Sequence, residues 1–173
     1  MTRAVSVAAR PDIDVIIGVR GPLAPPDFCG GLQLPIVACD HLYSFDRESL
    51  VKAIPRPEKV PAKEFAGASE ELLDRLMLMA DNAGATDEHR ALNYLTVRCQ
   101  RIYELAADAL GRGLSLTAVD VLNSGLSSLR KVLDVVFSYT HRSTGVVEKH
   151  FVRVDVTDEF PFLMKPLSPY YDR

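Results

Sequence analysis

The sequence predicts an α+β fold in which a helical hairpin packs on an antiparallel β-meander. Two changes of rhythm predict it. Between residues 69 and 113 apolar side chains recur every three or four positions, the spacing that lines one face of a helix. After Gly113 they recur at every second position, the spacing of a strand with one face turned inward. The totals agree, because 173 residues that are 47% apolar and 25% charged can bury a core as one domain without disulfides.

The longer helix is predicted over Gly84 to Gly113. Thr86 suits its N-cap, and Asp87 and Glu88 put negative charge in the first turn, where free amides favour it. Leu92, Leu95, Cys99, Ile102, Ala106 and Ala109 form one stripe, while Arg90, Arg98, Arg101, Glu104 and Asp108 occupy the remainder. Gly111 and Gly113 suit a left-handed stop. Ahead of it, SEELLDRLMLMADNAG reads as a second amphipathic helix. Ser69 serves as its cap, Leu72, Leu73, Leu76, Met77, Met79, Ala80 and Ala83 as its apolar sector, and Gly84 as its end. The break at Gly84 and Ala85 makes the two a hairpin.

Residues 1–12 lack periodicity and are expected to form a flexible arm, leaving 13–173 as a single domain. IDVIIGV alternates, with Ile13, Val15, Ile17 and Val19 on one side, and predicts a strand over 13–19 that joins the main sheet or starts a small second layer. RGPLAPPDFCGG is a loop stiffened by proline. LPIVACDHLYSF is extended, with Val37, Cys39, His41, Tyr43 and Phe45 facing one way. Ser44 or Asp46 can then cap a short helix in DRESLVKAI, which Pro55 and Pro57 end. IPRPEKVPAKEF is an extended, charged connector. Past Gly113, LSLTAVDVL, KVLDVVFSYT and VVEKHFVRVDV are strands, FPFLMKP an edge strand, and HRSTG a hairpin loop. Leu133, Val135, Phe137 and Tyr139 share a face of the middle strand, as do Val152, Val154 and Val156 of the next.

Charge and hydropathy exclude several classes. With 20 Lys plus Arg against 23 Asp plus Glu, the net charge of −3 supplies no global basic field for nucleic acid or an anionic membrane. Apolar runs such as Val15 to Ile17 fall far short of the ~20 residues of a bilayer span, and the N-terminus has no apolar signal core. A cytoplasmic protein is expected. Three widely spaced cysteines, Cys29, Cys39 and Cys99, fit reduced thiols.

Two stretches, EHRALNYL in the long helix and DVTDEFPF after the valine-rich strands, carry a family resemblance. Together with GGLQLPIVACDHLYSFDRESLVKAIPRPEK they resemble the C-terminal domain of the cyanobactin maturation protease PatG, over roughly residues 30 to 165. That domain has no assigned activity and is distinct from the subtilisin-like macrocyclase; similar domains end the companion protease and occur as stand-alone proteins. The resemblance implies an accessory role around a ribosomally made, modified peptide, and it does not imply proteolysis. No Gly-x-Ser-x-Gly elbow is present. Residues 114–173 contain no cysteine, so any cysteine-based metal site of other members' β-portion would be missing.

Candidate chemistry is sparse. Cys29, Cys39 and His41 are spaced C-x9-C-x-H without a second close pair, unlike a tetrahedral zinc set. Cys29, in FCGG, could be a presented nucleophile with His41 or His141 as base, although the glycines are also what a tight turn needs. Among the histidines, His89 opens the long helix, His141 begins a hairpin loop, and His150 lies on the face of Val152 and Val154. The acidic residues form no ligand loop or acid/base pair, and neither a dinucleotide fingerprint nor a Walker sequence exists, so no cofactor and no metal is expected. Tyr94, Arg98 and Arg101, with Arg90, Asn93 and Gln100 nearby, offer a polar helix face able to hold a carboxylate-rich leader peptide. An ordinary solvated face with pairs such as Arg101 and Glu104 explains the same residues, and a free strand edge is a rival binding mode.

The reading is a non-catalytic accessory or recognition module in cyanobactin-like peptide biosynthesis that binds a precursor peptide or partner enzyme through Tyr94, Arg98 and Arg101. A small cysteine-dependent enzyme using Cys29 and His41 is one alternative. A structural homodimeric scaffold is another. Neither nucleic acid nor a membrane is expected as a partner.

Overall fold

The computed structural model describes residues 12–28, 30–54, 56, 60–78, 86–126 and 129–171. It is an α+β arrangement with two antiparallel sheets. Among the described residues strands β1 (Asp12–Leu23) and β2 (Pro35–Asp46) pair only with each other, so the N-terminal strand starts a second layer. A 3-10 turn over Pro26–Phe28 lies in the connection. The register pairs Val15 with Tyr43, Ile16 with Leu42 and Ile17 with His41, then slips so that Gly18 faces Cys39 and Asp40 is the extra residue. Gly18 is required there. A Cβ would stand 2.0 Å from the Ala38 carbonyl oxygen.

Short helix α1 (Arg47–Ala53) follows, and Asp46 is its cap, accepting from the Glu48 and Ser49 amides at 3.1 and 2.9 Å. The chain leaves helical geometry at Ile54, ahead of Pro55 and Pro57, which lie outside the described residues.

Helix α2 (Ala62–Leu78) begins seven residues before the expected cap at Ser69, taking in the last four residues of the stretch expected to be a connector. Phe65 and Ala68 explain the extension. They are 4% exposed and continue the stripe of Leu72, Leu73 and Leu76 back by two turns, so burial outweighs the charge of Lys63 and Glu64. Ser69 is buried within the helix. Met79, Ala80, Ala83 and Gly84 lie outside the described residues.

The expected single long helix is two: α3 (Asp87–Arg98) and α4 (Gln100–Gly111), broken at Cys99 with φ −112° and ψ 85°. Tyr103 supplies the physical reason. Its hydroxyl donates to the Thr96 carbonyl at 2.8 Å, taking the acceptor that the Gln100 amide would use in a continuous helix, while Thr96 Oγ1 donates to the Leu92 carbonyl. Thr86 caps α3 as expected, accepting the His89 amide at 3.2 Å, and Gly113 takes the left-handed conformation at φ +79°. The break does not disturb the stripe. Leu92, Leu95, Cys99, Ile102, Ala106 and Ala109 are all buried.

Strands β3 (Leu114–Asn123), β4 (Val132–His141), β5 (Val147–Asp155) and β6 (Phe162–Pro169) form the main sheet in that order, an antiparallel meander. Leu133, Val135, Phe137 and Tyr139 of β4, with Val152 and Val154 of β5, meet α2, α3 and α4 to make the core. The opposite face of β4 is also closed. Asp134 there binds Arg153 in a two-pronged pair at 2.6 and 2.8 Å, and the Arg153 and Lys165 cations stand 5.4 and 4.8 Å from the Phe151 ring centre.

Candidate functional site

The stretches EHRALNYL and DVTDEFPF are far apart in sequence and adjacent in space. Arg90, in the first turns of α3, donates from one guanidinium to the carbonyls of Val156 at 2.7 Å, Asp158, and Glu159 at 3.1 Å, and is held in aim by Asp87. One turn on, Tyr94 accepts the Leu163 amide on its hydroxyl at 3.2 Å. From the other side Arg130 binds Asp155 and Asp158, Lys131 pairs with Asp87 at 2.8 Å, and Thr157 accepts the Lys131 amide. Hydrogen bonding to Arg130 draws the Asp155 carboxyl down to about 2. The loop between β5 and β6 is therefore latched onto the start of α3. Arg90 belongs to this latch, so it leaves the exposed polar face on which spacing alone puts it.

Tyr94 is half-buried and packs against the core with its hydroxyl engaged. Arg98, in the last turn of α3, is exposed, and no hydrogen bond or ion pair joins it to another described residue. Arg101, just past the break, is 77% exposed at its side chain and reaches Glu104 at 3.3 Å. Arg98 and Arg101 thus flank the α3–α4 junction, while Tyr94 looks toward β6. A break that puts Arg101 on a different helix from Tyr94 and Arg98 is invisible in a helical spacing count.

The cysteine hypothesis divides. Cys29 lies outside the described residues. Cys39 is exposed and its thiol donates to the His41 carbonyl at 3.5 Å, whereas Cys99 is buried and burial pushes its thiol pKa up. The His41 ring stacks on Tyr43 and meets Phe160 edge-on, with ring centres 6.3 and 5.7 Å apart. Beside it the neighbouring Asp40 carboxyl raises the Glu159 carboxyl above its usual range. These contacts fasten β2 to the latch. Among the described residues no three His, Cys, Asp or Glu side chains gather as a metal site would need.

His141 accepts the Thr144 amide within its turn. His150 is half-buried, and burial lowers its pKa. A cavity lined by Ala68, Glu71, Leu72, Ala106, Leu110 and Tyr139 measures about 10 Å³, against the roughly 300–1,000 Å³ of small-molecule sites. No helix among the described residues is long and apolar enough to cross a membrane.

A family model described as PatG C-terminal matches residues 59–170. That span runs from the approach to α2 to the end of β6 and leaves out β1, β2 and α1. A solved structure titled PatG Domain of Unknown Function superposes with a TM-score of 0.63 at 20% identity, covering 82% of this chain and 56% of that one. At that identity the likeness is one of fold, and this chain spans little more than half the length of the other. No curated protein matches the sequence.

Proposed function

We propose, from the premise that this chain belongs to the PatG C-terminal family, that it is a non-catalytic recognition module in cyanobactin-like modified-peptide biosynthesis. It binds an extended, carboxylate-rich precursor peptide, or the partner enzyme carrying one, at the α3–α4 junction. One observation carries the reading: Arg98 stands exposed and unengaged among the described residues beside Arg101, whose restraint is a single surface contact with Glu104. Exposed pairs of that kind contribute little and exchange readily for a better acceptor. Two guanidiniums across one kink suit two carboxylates of an extended chain. Tyr94 contributes behind them, holding β6 in place. Recognition at a surface also accords with a 10 Å³ cavity.

The test is a titration of a fluorescently labelled, carboxylate-rich cyanobactin-type leader peptide into the wild-type chain and into Arg98→Ala and Arg101→Ala. Each substitution is expected to weaken binding about tenfold or more, the scale of one charge-assisted hydrogen bond. Equal affinities in all three proteins would remove the junction from the function.

A further inference from the structure

Tyr103 and Thr96 lie inside the core, 1% and 4% exposed. Their hydroxyls form a chain across the break between α3 and α4. Tyr103, the fourth residue of α4, donates to the Thr96 carbonyl near the end of α3 at 2.8 Å, and Thr96 Oγ1 donates to the Leu92 carbonyl one turn further back, also at 2.8 Å. Burial pushes the Tyr103 hydroxyl well above its ordinary pKa of 10, so it stays protonated and remains a donor throughout the neutral range.

This brace spans the single residue between the helices. Cys99, at φ −112° and ψ 85°, is far from helical geometry. Its amide still donates to the Leu95 carbonyl at 3.0 Å, and its carbonyl accepts the Ile102 amide at 3.4 Å. In an unbroken helix residues 98 and 101 would stand one turn apart on one face, with Cβ atoms ~5–6 Å apart and like charges in repulsion. Across the break their relation follows from the Cys99 dihedrals instead. Both arginines are exposed, so the backbone between them is what fixes that relation.

We infer that Tyr103 is a positioning residue for recognition at this junction: by tying α4 to the Thr96 carbonyl it holds Arg98 and Arg101 in the relation that two carboxylates of one extended peptide require. The inference rests on the reading of the junction proposed above. Neither hydroxyl reaches a peptide from inside the core, so any influence on binding passes through the backbone. A site ordered before its ligand arrives keeps the affinity that ordering would otherwise cost. Without the brace, a bound peptide would have to order the junction itself. A phenylalanine would fill nearly the same volume at position 103, and the hydroxyl is the one atom that reaches the Thr96 carbonyl.

Tyr103→Phe tests it, because the change removes one oxygen and leaves the ring in place. In a Cys29→Ser, Cys39→Ser background Cys99 is the sole thiol. Being buried, it meets a thiol reagent when the junction opens. Tyr103→Phe is expected to speed that reaction about fivefold and to weaken binding of the labelled leader peptide about fivefold, the share of one hydrogen bond. A double-mutant cycle separates positioning from general destabilisation. With Arg101→Ala in place only one guanidinium engages the peptide, so Tyr103→Phe is expected to cost no further affinity there, while the Cys99 reaction still quickens. Equal loss of affinity in both backgrounds overturns the inference, and so does an unchanged Cys99 rate. Wild-type affinity in Tyr103→Phe, when Arg98→Ala and Arg101→Ala lose theirs, overturns the inference and leaves the recognition reading standing. Arginine variants that bind as tightly as the wild type overturn both.

Discussion

Arg90 on α3 donates to the backbone carbonyl of Val156 at 2.7 Å, across 66 positions of sequence. The same guanidinium continues to Asp158 and Glu159, so one side chain terminates β5 and aims the chain into β6. A planar fork can serve three carbonyls at once; an ammonium cannot.

Arg90→Met is therefore expected to destabilise the chain by about 3 kcal/mol, leaving carbonyl acceptors beside an apolar stem. Arg90→Lys should recover only part of that loss. Urea denaturation of the three proteins measures it, and full recovery by lysine would contradict the fork.

Tyr94→Phe keeps the ring and removes only the acceptor for the Leu163 amide. The expected cost is about 1 kcal/mol, with the Leu163 amide losing hydrogen-exchange protection while β4 amides keep theirs. Unchanged protection at Leu163 would place the role of Tyr94 elsewhere.

The pair of Asp134 and Arg153 has side chains only 11% and 19% exposed. Asp134→Ala is expected to cost about 3 kcal/mol, because it strands a largely buried cation above Phe151. Replacing both residues with leucine should cost less than that single change. Equal or larger loss in the double variant would mean that the pair itself, rather than the stranded charge, sets the cost.

His150 gives stability a dependence on mildly acidic pH. Burial lowers its folded pKa below the ordinary 6.5, and the nearby charges of Glu148, Arg112 and Asp108 act more weakly. The unfolded chain therefore takes up the proton first, so the contribution of the neutral ring is complete above about 6.5 and is lost as pH falls through the folded value. His150→Gln should flatten the stability profile between about pH 5 and pH 7. A slope identical to that of the wild type would assign it to other groups.

Much of the fold is legible in local pattern. Alternation marks the strands of the meander, because a strand buried on one face must alternate, and Thr86 and Gly113 mark the start of α3 and the stop of α4 because their chemistry serves helix ends directly. The stripe from Leu92 to Ala109 is equally readable, and it survives the break at Cys99 because burial follows the mean period rather than the continuity of hydrogen bonds. Charge concealed the start of α2, where Lys63 and Glu64 flank a phenylalanine whose burial is a matter of tertiary contact.

What the sequence by itself determined is the class of the elements and the residues that face inward, since these depend on neighbours within a few positions. What only the tertiary structure decided is which polar groups are spent and which stay available. Arg90, Arg98 and Arg101 look alike along a helix. The first is consumed by carbonyls on a loop 66 or more positions away, the third touches a neighbour one turn on, and the second has no partner among the described residues. The kink rests on the same kind of contact, because a hydroxyl seven residues ahead captures the Thr96 carbonyl. Hydrogen bonds across such distances follow from how the layers meet, and no spacing rule contains them.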